Sequence, residues 1–202
     1  MTSAIAILVI GMLYVGTILL WIVVAATPRE PIGDPFLAVM EVLTIASALA
    51  LLGVALAIAC YADHERRVHA VTSLVFAALA AGLTMAVHFV QLTAVRQLWH
   101  ANAITDYRLI WPSALLAVEY LVWDLLIGLM MICGSFVFKA PGHARRAQVA
   151  MVVGGLLCVA GLAGPLSGQM ILQNIGVIGY AVVLPVAAVF IARTFGVRVA
   201  SP

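Results

Sequence analysis

The stretch Pro112-Ser-Ala-Leu-Leu-Ala-Val-Glu119-Tyr120-Leu-Val-Trp123-Asp124-Leu-Leu-Ile-Gly-Leu-Met130 decides how this chain is read. A helix that crosses the hydrocarbon of a bilayer needs about 20 predominantly apolar residues, and this run supplies them. Near its middle, however, it carries two carboxyl groups. An ionisable side chain at that depth costs roughly 2.5 to 3.5 kcal/mol on insertion scales, so Glu119 and Asp124 should face other helices or a wet cavity. The rest of the chain is then expected to build walls around this segment.

Composition agrees with a membrane setting. Of 202 residues, 65% are hydrophobic and only 9% are charged, against roughly 25% charged in a soluble domain. The length accommodates about six crossings, so the expected fold is an all-α, compact bundle of about six transmembrane helices forming a single domain over 1–202. The helices are expected at about 3–26, 36–61, 69–95, 112–138, 147–164 and 170–194. Thr27-Pro28-Arg29-Glu30-Pro31 stops the first and Ala62-Asp63-His64-Glu65-Arg66-Arg67 makes a solvated turn after the second. Gly164-Pro165-Leu166-Ser167-Gly168-Gln169 turns the fifth into an antiparallel sixth, in which Pro185 is expected to produce a kink. The connection from Arg96 to Trp111, with Trp99, Tyr107 and Trp111, suits an interfacial belt that can cap what lies beneath. The start Met-Thr-Ser-Ala-Ile lacks a basic region, so the first apolar run reads as a retained helix.

Alternate loops divide the basic residues unequally. Arg66, Arg67, Lys139, Arg145, Arg146, Arg193 and Arg198 fall on one face, and Arg29, Arg96 and Arg108 on the other. That bias places both termini in the cytoplasm, with the chain as a multi-pass protein of a bacterial-type inner (plasma) membrane. The net charge of +2 is small and dispersed, which gives no case for nucleic acid. Cys60, Cys133 and Cys158 lie in apolar segments without a CxxC pair and read as inert small hydrophobes.

The polar residues cluster by depth. Glu41, His88, Gln91, Glu119, Gln169 and Asn174 all fall in the half of the membrane nearer the non-cytoplasmic face, and Asp124 falls near the midplane. Pro35 and Pro112 open parallel helices from the same face, and each puts a glutamate about 9 to 10 Å along its helix. Thr84, His88 and Gln91 share one helix face, a polar stripe in an apolar segment. On a helical wheel, Glu119, Trp123, Tyr120 and Asp124 occupy an arc of about 140°. They can line one wall of a pocket.

A carboxyl group in hydrocarbon is favoured as the neutral acid and can deliver its proton to a bound molecule, while His88 or a second carboxylate takes one back. Asp124, Glu119, Glu41 and His88 are therefore the candidate catalytic groups, with Asp124, the deepest, expected to carry the chemistry. Tyr14, Trp21, Tyr120 and Trp123 offer π faces that attract positive charge, and Gln91 and Asn174 complete the candidate substrate-binding set. Structural readings stand beside these. Buried acids can bond to a neighbouring helix, Glu41 can reach the headgroups or Arg29, amides can join helices, and Gly164 with Gly168 and Gly176 with Gly179 can permit close helix contact. No metal is expected, since His88 is the single intramembrane histidine and no ligand pair has helical spacing. No cofactor motif is present either.

The early glutamate of the second helix, Glu41, together with Glu119-Tyr120-Leu-Val-Trp123-Asp124, resembles the small integral-membrane terpene cyclases of meroterpenoid and indole-terpenoid pathways. In that family an acidic pair protonates an epoxide or alkene of a prenylated substrate. The resemblance concerns size, helix count and acids, and departs from the family in six rather than seven helices. The emopamil-binding-type sterol isomerases, which use intramembrane His and Glu, are similar in chemistry. Either resemblance implies Glu41, Glu119 and Asp124 as acids and Trp123 and Tyr120 as cation-stabilising walls. The expected function is acid-initiated cyclisation or isomerisation of a lipid-soluble isoprenoid alkene, with membrane lipids as the surroundings. The alternative is a small proton-coupled transporter or lipid-binding membrane protein, for which six helices are few unless the chain forms a homo-oligomer.

Overall fold

The structure, a computed structural model, describes residues 2–24, 32–97, 109–139 and 141–200, with side chains to 196. The described residues form six helices long and apolar enough to cross a membrane, and no strand. They are α1 (Thr2–Val24), α2 (Phe36–Tyr61), α3 (His64–Val95), α4 (Ala114–Ser135), α5 (His143–Ser167) and α6 (Met170–Gly196). Each packs against its neighbours in sequence, and α1 also meets α6, which closes the six into a ring.

Most helix ends fall close to expectation, and the differences have local causes. The third helix begins at His64 rather than 69, because the Asp63 side chain accepts a hydrogen bond from the Arg66 backbone N–H and starts a 3-10 turn there. Such a cap satisfies one of the orphan donors of a helix start. Arg66 is thus no solvated turn residue. Its Nη1 donates to the Val137 carbonyl at 3.1 Å and pairs with Asp63 at 3.4 Å, tying the start of α3 to the end of α4. The fourth helix starts at Ala114, where the Ser113 hydroxyl accepts from the Leu116 N–H at 3.2 Å.

Three segments widen into π-helix: Gln91–Val95 in α3, Leu121–Leu126 in α4 and Ile178–Val183 in α6. The last lies directly before Pro185, whose missing N–H removes a rung from the helix ladder. A wide turn absorbs that loss, and π-turns recur at functional sites.

Glycines let α4, α5 and α6 approach one another closely, as membrane helices do where small residues remove side-chain bulk. A Cβ on Gly161 would lie 2.6 Å from the Gly176 Cα, one on Gly164 2.6 Å from the Gln173 N, and one on Gly179 2.7 Å from the Gly154 carbonyl. Gly168 differs from the expectation of a contact glycine. No atom lies within 4 Å of its would-be Cβ, and its φ of 74° makes it the left-handed end of α5, a conformation that favours glycine. A Cβ on Gly176 would collide with Asp124 Oδ1. Gly176→Ala is accordingly expected to cost about 1 to 3 kcal/mol, the usual range for overpacking. Unfolding in detergent checks this, with Gly82→Ala, where an added Cβ meets nothing, as the neutral control.

Candidate functional site

His88 on α3 stands between two glutamates. Its Nδ1 contacts Glu41 Oε2 from α2, and its Nε2 lies 3.2 Å from Glu119 Oε2 on α4. The indole N–H of Trp123 donates to the same Glu119 oxygen at 2.7 Å. All three ionisable groups are buried. Glu119 Oε1 is buried too and has no hydrogen-bond partner. The parallel starts of α2 and α4 explain the geometry: both glutamates sit at the same depth, so they reach the two ring nitrogens of one histidine from opposite sides.

This array borders a half-open cavity of about 330 Å3 lined by α1, α2, α3, α4 and α6, a volume in the range of small-molecule sites. Tyr14 and Gly11 contribute from α1, Thr44 and Ser47 from α2, and Tyr180 and Pro185 from α6. Glu119, Tyr120 and Trp123 form the α4 wall. The ring of Trp123 lies 5.3 Å from that of Tyr180, and the ring of Tyr120 lies 5.8 Å from that of Trp111. The cavity is therefore aromatic and aliphatic over most of its surface, with His88 and Glu119 as its ionisable groups.

The structure divides the residues expected at the site. Glu119, His88, Tyr120, Trp123 and Tyr14 line the cavity, and Glu41 stands directly behind His88. Asp124 does not line it. Its side chain is wholly buried in a notch formed by Gly161 of α5 and Gly176 of α6, with neither oxygen in hydrogen-bond geometry, although Gln173 is close enough to interact. The wheel places Asp124 at the far edge of its arc, on the side of α4 that meets α5 and α6. Asp124, expected to be the deepest acid of the site, thus lies outside the cavity that Glu119 borders.

Gln91 is buried and Trp21 half-buried, but neither lines the cavity. Asn174 is exposed and donates to the Ile171 carbonyl at 3.1 Å, while its neighbour Gln173 faces inward and donates to the Tyr180 hydroxyl at 3.4 Å. The pairing of Glu41 with Arg29 and the covering role of Trp99 and Tyr107 fall outside the described residues. Thr44, Ser47, Gln173 and Tyr180 are additions to the site. Their signal in the sequence is helical spacing, Glu41 with Thr44 and Gln173 with Tyr180 each returning to one face.

As donors for a cation, Glu41 and Glu119 are poorly placed, because they hold opposite nitrogens of one imidazole and do not converge. Among the described residues no group of three His, Cys, Asp or Glu is arranged to hold a metal ion.

The fold and this site define a multi-pass helical membrane protein with a buried Glu-His-Glu array beside an apolar cavity. No family model, no curated protein and no solved structure matches the chain.

Proposed function

We propose that this protein is an intramembrane enzyme that moves a proton on a lipid-soluble alkene, of isoprenoid type, and so isomerises or cyclises it. The observation that carries the proposal is the unpartnered Oε1 of Glu119, an acid oxygen held at an aromatic cavity by His88 and Trp123. In the proposed reaction, the proton on Glu119 passes to one alkene carbon, leaving a carboxylate and a carbocation on the neighbouring carbon. The faces of Trp123, Tyr120 and Tyr180 stabilise that charge. With or without ring closure by a second alkene, loss of a neighbouring C–H proton to the carboxylate restores the acid. His88 bridges Glu119 to Glu41, so the array can recharge Glu119 when a proton is lost elsewhere. This reading is in keeping with the resemblance to membrane terpene cyclases and sterol isomerases.

Purified protein in lipid nanodiscs, incubated in deuterated water with an extract of isoprenoid lipids, is expected to place deuterium on carbon in one lipid species, read by mass spectrometry. Proton-driven flux in liposomes with no label on carbon would instead support the proton-coupled transporter, and would overturn the enzyme.

A further inference from the structure

The α6 wall of the cavity carries a further polar group, Tyr180. Its ring is held against Trp123 at 5.3 Å. Its hydroxyl accepts a hydrogen bond from Gln173 Nε2 at 3.4 Å. A phenol oxygen that accepts in this way keeps its own proton for another partner.

We infer that Tyr180 is a hydrogen-bond donor into the cavity, oriented by Gln173, and that the lipid bound there carries an oxygen function which Tyr180 recognises. The substrate class is thus an oxygenated isoprenoid, an alcohol, ether, epoxide or ketone, rather than a pure hydrocarbon. This inference rests on the cavity being the substrate site of the reaction proposed above. Tyr180 and Glu119 then act on different parts of one molecule: the phenol of α6 fixes the oxygen, and the acid of α4 meets the alkene. Gln173 is a positioning residue.

The test compares two probes of one carbon skeleton, farnesyl methyl ether, whose oxygen only accepts, and farnesene, which has none. Dissociation constants are read from quenching of tryptophan fluorescence in nanodiscs, and the ratio between the probes is compared across variants so that partition into lipid cancels. Wild type is expected to prefer the ether by about 3- to 10-fold more than Tyr180→Phe does, the span of one net hydrogen bond. Gln173→Leu, which leaves the phenol in place but unoriented, is expected to lower the ratio as well, and serves if Tyr180→Phe does not fold. A ratio unchanged in the variant that folds overturns the inference. Loss of the preference without deuterium on carbon in the labelling experiment would leave an oxygen-recognising lipid site and remove the reaction. Labelling with no preference would do the reverse.

Discussion

Glu119→Gln is expected to lower transfer of deuterium to the lipid alkene by at least about 100-fold, because a positioned acid contributes roughly 10² to 10⁴ to a rate. Glutamine keeps the length of the side chain and can accept from the Trp123 indole as Glu119 Oε2 does, at 2.7 Å. The cavity and the packing of α4 therefore survive, while the transferable proton is lost. Mass spectrometry of the lipid gives the rate, and the elution profile with tryptophan emission reports the fold. Asp124→Asn should cost far less in rate, since Asp124 lies outside the cavity. The opposite ranking, with Asp124→Asn inactive and Glu119→Gln active, would move the chemistry into the glycine notch.

The second large effect concerns stability. His88→Leu removes the group shared by two buried glutamates. Breaking a buried ionic set by removing one partner typically costs about 3 to 5 kcal/mol, because the remaining groups stay desolvated and unpaired. The triple change Glu41→Leu, His88→Leu, Glu119→Leu behaves differently: replacing the whole set by apolar residues of similar volume is often neutral or stabilising. The triple variant is thus expected to be more stable than His88→Leu alone, and inactive. Thermal unfolding in detergent decides between the two orders. If the triple variant is the least stable of the set, the array serves the fold, and its place beside the cavity loses its functional meaning.

These two effects show how far the sequence could be read. Helix α2 was legible to its end residues, because Pro35 and the polar run after Tyr61 bound an uninterrupted apolar segment. The meeting of Glu41, His88 and Glu119 was legible as a shared depth, since helices started from the same face by Pro35 and Pro112 carry their acids equally far down. What escaped was rotation about the helix axes. A wheel sets Asp124 at the far edge of the arc from Glu119 but cannot say which of the two edges faces a cavity and which a neighbouring helix. The same holds in α6, where a 3-10 turn at Met170–Gln173 and a π-turn at Ile178–Val183 bracket one ordinary helical turn. Depth alone does not distinguish Asn174, which faces outward, from its neighbour Gln173, which faces Tyr180. Ahead of Pro185, α6 widens over Ile178–Val183, the stretch that holds the cavity residue Tyr180.

Occupancy of the cavity by a lipid-soluble alkene underlies both the proposed reaction and the recognition by Tyr180. A farnesyl probe bearing a diazirine, irradiated with the protein in nanodiscs and mapped by peptide mass spectrometry, reads that occupancy directly. Adducts are predicted on the cavity wall, at Gly11, Tyr120, Trp123 and Ala181, and are expected to be displaced by excess farnesyl methyl ether. Adducts confined to outward positions such as Leu79, Val153 and Leu156, and unaffected by that competitor, would contradict a substrate site within the ring of helices.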